Sequence, residues 1–165
     1  MSLIFVDVEA DFKSPCPGIG PGMTEFGAVE FKTLETFYGR PSHPFSSEEI
    51  EQKKWKNHIV SIEDWRLCFE AFAFWLSKFD GRPIFVSDNP AYDFPWINYH
   101  FHHLFGKNPM GHSARRIGDF YAGLVGDIHK SNDWKHLRIT EHDHNPVHDA
   151  MGNVEAMKRM LAGER

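Results

Sequence analysis

The chain is predicted to be an α/β domain built on a mixed central sheet, an antiparallel opening meander plus parallel strands, flanked by helices. Three observations carry this expectation. Apolar runs of strand length stand at 3–8 and 84–87. An alternating segment at 24–32 is followed closely by a return at 34–38, as in a hairpin. Helical periodicities then follow the second apolar run and close the chain, so the order is strands first, then helix, strand, helix, strand, helix. At 165 residues, with 41% hydrophobic and 25% charged residues, one packed domain spanning 1–165 is expected, since the length is too short for two ordinary cores.

Residues 3–8 are rich in branched and aromatic side chains, as a buried central strand is. Residues 14–22 then carry so many Pro and Gly that regular structure is excluded and a loop is required. In the strand at 24–32, Phe26, Ala28 and Glu30 fall on one face. A polar surface helix is expected over 46–57. Ser61, with Asp64 three residues later, offers a capped start to a long helix in which Leu67, Phe69, Phe72, Ala73, Leu76 and Phe79 recur at helical spacing until Gly81 and Pro83. After the strand at 84–87 come an aromatic helix over 92–105, a short strand at 116–118 leading into helix through Leu124, and a final helix over 146–161. That last helix places Val147, Ala150, Val154, Met157 and Leu161 inward.

Composition narrows the function classes. The net charge of −5 argues against a broad basic surface that grips long duplexes. It leaves open an acidic cluster that becomes attractive to phosphate once a divalent ion is bound. The two cysteines, Cys16 and Cys68, have neither zinc-ligand nor disulfide-framework spacing, which fits a reducing, cytoplasmic setting. The start lacks a basic leader and is interrupted by Asp7, so neither a signal peptide nor a membrane span is expected. Fifteen Phe, five Trp and four Tyr are more rings than a core of this size commonly uses, which offers some of them to a flat ligand.

Three short patterns are candidates for chemistry. In Asp7-Val8-Glu9, strand alternation sends both carboxylates to one face at the carboxyl end of an apolar strand, where ligands of open α/β sheets bind. Asn89-Pro90-Ala91-Tyr92-Asp93 and Asn145-Pro146-Val147-His148-Asp149 share one pattern: Asn suits a helix cap, Pro the first helical position, and Asp falls one turn inside. His144 stands just outside the second cap, where an imidazole titrating near neutrality suits a general base.

In this order the motifs resemble the DEDDh family of 3′–5′ exonucleases over nearly the whole chain. The matching stretches are Phe5-Val6-Asp7-Val8-Glu9-Ala10, Glu25-Phe26-Gly27-Ala28-Val29, Asn89 through Asp93 with Phe94 and Ile97, and His144-Asn145-Pro146-Val147-His148-Asp149-Ala150. Pro146 and Val147 replace the family's usual Ala-Leu. The resemblance implies a ribonuclease H-like fold and hydrolysis of single-stranded RNA or DNA from the 3′ end to nucleoside 5′-monophosphates; the sequence itself does not choose the sugar, and an exoribonuclease is slightly favoured. It implies that Asp7, Glu9, Asp93 and Asp149 hold two Mg²⁺ or Mn²⁺ roughly 3.5–4 Å apart, with Asp7 bridging, and that His144 activates water. Ala10, Phe12, Met23, Phe26, Asn89, Tyr92 and Phe94 flank these motifs and are the expected substrate contacts, through stacking and an apolar wedge. A homodimer is a further expectation.

Two rivals stand beside this reading. His142-Asp143-His144 with His148-Asp149 suggests a His-rich zinc or iron phosphohydrolase, but the spacing misses the H-x-H-x-D-H pattern and leaves Asp7 and Glu9 unexplained. A catalytically silent nucleic-acid-binding module on the same fold is the other.

Overall fold

A computed structural model describes residues 1–10, 22–41 and 62–165. Most of the Pro/Gly loop, Phe12, the helix expected over 46–57 and the cap at Ser61 lie outside the described residues. Among the described residues, five strands form one sheet: β1 (Ser2–Ala10), β2 (Met23–Glu30), β3 (Thr36–Gly39), β4 (Pro83–Ser87) and β5 (Ala114–Arg116), in the order β3-β2-β1-β4-β5. The β1/β2 and β2/β3 pairs are antiparallel and β1/β4 and β4/β5 parallel, so the expected meander with added parallel strands is present. The α-helices among the described residues are α1 (Arg66–Ser77), α2 (Pro90–Phe105), α3 (Ile117–Val125) and α4 (Pro146–Leu161).

Alternation along β1 divides the interior in two. Ile4, Val6 and Val8 point into an aromatic core with Phe26, Trp65, Phe69, Phe72 and Phe101, which α1 and α2 cover. Phe5 points the other way, into a core with Val29, Ile117, Ala150, Val154 and Met157 under α3 and α4. Asp7 and Glu9 continue the Phe5 face by the same period of two. They therefore emerge beneath the start of α4.

Gly27 decides how closely that helix approaches. It pairs with Asp7 across the β1/β2 ladder, and a Cβ there would lie 2.2 Å from the Pro146 carbonyl carbon and 2.3 Å from the Val147 nitrogen. Only a residue without a side chain lets the first turn of α4 rest on the sheet beside Asp7.

Some local expectations are corrected. Leu67 and Leu161 are 66% and 59% exposed; the helical stripe of α1 is completed inward by Trp75 instead, and α4 has reached solvent by its last turn. Gly118 is not in a strand but in α3, where it packs against the Ser131 carbonyl. The connection from α3 to α4 contains two 3-10 turns, Ile128–Lys130 and Asp133–Leu137, whose threefold period is too brief to read from sequence.

Candidate active site

The site is assembled at the carboxyl ends of β1 and β4. Parallel pairing of these strands stops at Phe5↔Val86, and beyond it the Val8 amide donates instead to Asp93 Oδ1 at 3.1 Å. Asp93 thus reaches the site from α2, fastened to the strand that carries Asp7 and Glu9. Asp149 arrives from α4. Its first turn is held by Asn145, whose side-chain oxygen accepts from the Val147 and His148 amides at 3.0 and 3.4 Å. Asn89 is different: its side chain caps nothing, and its backbone carbonyl accepts from the Tyr92 and Asp93 amides.

Asp7, Glu9 and Asp149 bring carboxylate oxygens within 4.8 Å of one another. Asp93 lies outside that tight group but inside its field. Burial pushes the Asp7 carboxyl well above the usual carboxylate range, and Asp93, Asp149, Asp88 and Glu9 add repulsion. Burial also raises Asp93, with Asp88 adding to it. The Ser87 hydroxyl opposes that rise without sitting in good hydrogen-bonding geometry. Glu9 is raised by burial and partly relieved by His144, whose Nδ1 stands 3.4 Å from Glu9 Oε1.

The donors suit a divalent cation. Asp93 Oδ2 and Asp149 Oδ2 are sealed from solvent and accept no hydrogen bond among the described residues. Buried carboxyl oxygens left without such a bond are costly. Nearby cationic charge would neutralise them, and an all-carboxylate set favours a hard ion.

His144 is exposed and takes a left-handed backbone conformation, φ +62°. For a non-glycine residue that costs about 1–2 kcal/mol. The turn delivers its ring to Glu9 immediately before the capped helix. An imidazole in that position can exchange protons with water at the carboxylates.

Two contacts to Asp149 are absent from the sequence motifs. Arg138 donates from Nη2 to Asp149 Oδ1 at 2.9 Å and to the Asp149 carbonyl at 3.2 Å, and it packs over Gly152, where a Cβ would strike the guanidinium. His142 Nδ1 stands 2.7 Å from Asp149 Oδ2, off the line of a hydrogen bond. Arg138 had no sequence signal; His142 had one only in its spacing from His144.

The expected substrate contacts divide. Met23 and Phe26 are 1% and 0% exposed. Phe26 is packed among Phe37, Trp65, Phe69 and Phe72, so neither is offered to a base. Phe94 is partly buried, edge-on to Phe85, and Tyr92 is partly buried against the same core. Ala10 is partly exposed just past the β1 bulge, and Asn89 is exposed at the start of α2.

The solved nuclease domain of 3′hExo, described as a DEDDh family member and bound to rAMP, superposes with a TM-score of 0.67 at 14% identity, over 98% of this chain and 92% of that one. The fold is that of a DEDDh nuclease domain. A 3′–5′ DNA exonuclease of Escherichia coli, Cap18, is 28% identical over 173 aligned residues, covering 94% of this chain and 90% of that protein. No family model matches. The likeness to a 3′–5′ exonuclease therefore holds in sequence, and the likeness to a DEDDh nuclease domain holds in fold. Among the described residues no helix is long and apolar enough to cross a membrane.

Proposed function

We propose that this protein is a metal-dependent 3′–5′ exonuclease that removes nucleoside 5′-monophosphates from single-stranded 3′ ends. The observation that carries the reading is the meeting of Asp7, Glu9 and Asp149 within 4.8 Å at the end of β1, with His144 beside Glu9. Kinship with a protein named as a 3′–5′ DNA exonuclease supports the polarity.

Asp7, Glu9, Asp93 and Asp149 would hold two Mg²⁺ or Mn²⁺ ions. When bound, the ions supply charge to clamp a phosphodiester and to ease deprotonation of water. The protein's own part is geometric and protonic. β1, α2 and α4 position the carboxylates, Arg138 holds Asp149 by donating to its Oδ1, and His144 takes a proton from the attacking water at its exposed ring. Ala10, Asn89, Tyr92 and Phe94 border the terminal nucleotide. A cytoplasmic setting is part of the same reading.

The test offers 5′-labelled RNA and DNA of matched sequence with Mn²⁺, wild type against Asp7→Asn. Progressive shortening from the 3′ end by wild type alone is expected, and the faster ladder assigns the sugar. Undiminished cleavage by Asp7→Asn would remove Asp7 from its role. Binding without any shortening would favour a silent module.

A further inference from the structure

His142 has no part in the reaction above, yet it sits against one of the carboxylates. The rings of His142 and His144 stand 4.5 Å apart, and ligand atoms of His142, His144 and Asp149 lie within 4.8 Å of one another. Asp149 Oδ2, from a residue only 1% exposed, accepts no hydrogen bond among the described residues while facing His142 Nδ1 at 2.7 Å. A buried oxygen that accepts no well-formed hydrogen bond thus stands against the His142 ring, with His144 in the same cluster.

The loop that carries them is held in place. Asp143, between the two histidines, accepts from the Asn145 amide at 3.0 Å and pairs with His148 Nδ1 at 2.9 Å. Two imidazoles and one carboxylate, with a position left open, form a donor set of zinc sites rather than of magnesium sites. Tetrahedral zinc separates its ligand atoms by roughly 3.3 Å. The His142–Asp149 pair needs only slight widening to reach that, and the exposed His144 ring closes the remainder by turning from Glu9 toward the ion.

We propose that His142, His144 and Asp149 form a second, imidazole-preferring site for a zinc-class divalent ion. Its occupation silences the nuclease by engaging Asp149 and His144 together. The silencing clause rests on the exonuclease reading; the binding clause does not.

The binding test titrates Zn²⁺ into the metal-stripped full chain against a chromophoric chelator, with Co²⁺ as a spectroscopic probe of nitrogen ligation. His142→Ala is compared with His112→Ala, an exposed histidine outside the cluster. Wild type and His112→Ala should bind one zinc, and His142→Ala should bind at least tenfold more weakly while keeping the wild-type circular dichroism. Equal affinity in all three proteins overturns the site. In the Mg²⁺-driven reaction, zinc should inhibit wild type at a concentration at least tenfold below that needed for His142→Ala. Equal inhibition overturns silencing through this site. His142-dependent zinc binding by a wild type that cuts nothing with Mg²⁺ or Mn²⁺ strikes the exonuclease reading and leaves the metal site standing.

Discussion

Asp7 is buried among Asp93, Asp149, Asp88 and Glu9, each of which disfavours its ionisation. A carboxyl whose folded pKa is raised contributes its stability fully below the unfolded pKa and loses it as pH rises through the folded value. In metal-free protein, Asp7→Asn should therefore melt higher than wild type at neutral pH, by about 2–4 °C if about 1 kcal/mol is relieved. The gap should close as pH is lowered; a calorimetric pH series checks it. Activity should move oppositely, falling by more than the roughly 10–100-fold that loss of an outer contact to a metal ligand costs. Arg138→Ala should fall within that range, because it frees Asp149 without removing it. It should also raise the Mg²⁺ concentration needed for half-maximal rate, and an unchanged metal requirement would deny Arg138 a positioning role. Asp7, Glu9 and Asp149 were legible because strand alternation and a helix start fix their directions. Arg138 lies on a stretch without a period, where only tertiary packing shows what it touches. Met23 and Phe26 mark the opposite limit, since an aromatic-rich composition does not separate core rings from ligand-facing ones.

Elements place these side chains, and two contacts between elements carry predictions. Gly27 admits the first turn of α4 against β2, so Gly27→Ala must push Pro146 and Val147 outward and carry Asp149 with them. Overpacking of this kind costs about 1–3 kcal/mol; denaturation should register that loss, and cleavage should weaken with it. Wild-type activity and stability in Gly27→Ala would mean that α4 can shift freely. At the α1/α2 contact, His100 stacks on Phe69, meets Trp65 edge-on, and donates from Nδ1 to the Trp96 carbonyl at 2.7 Å. Burial lowers its pKa to about 4, so the fold holds it neutral while the unfolded chain protonates near 6.5. Stability from this residue is present above 6.5 and lost as pH falls toward about 4, by up to about 3 kcal/mol. His100→Gln keeps a donor and does not titrate, so its acid loss should be smaller by that amount. Element existence was legible from periodicity, and α4 has the bounds its pattern predicts. Caps were legible by half: Asn145 closes its helix with its side chain while Asn89, in the same pattern, does so with its carbonyl. A cap's residue type does not fix its rotamer.

At the scale of the whole molecule, the sheet order puts β1 at the centre, with helices from both layers converging on its carboxyl end. The mixed topology was legible because the opening meander and the later helix–strand alternation have distinct periods. The strand order was not legible from periodicity, since β1 and β4 meet across more than seventy intervening residues. Convergence of this kind gathers carboxyl groups where the two cores join, so a cation bound there would couple its binding to folding. An ion that binds only the folded chain stabilises it by about 2.7 kcal/mol at a hundredfold excess over its Kd. For a chain of this length that corresponds to a melting shift on the order of 5–10 °C. Mg²⁺ or Mn²⁺ should produce such a shift in metal-stripped wild type, chelator should reverse it, and Asp7→Asn should lose most of it. Because Asp7→Asn begins from the higher metal-free melting point, the two curves should approach or cross as Mg²⁺ is added. A constant offset at every Mg²⁺ concentration would show that the carboxylates meet without serving the ion.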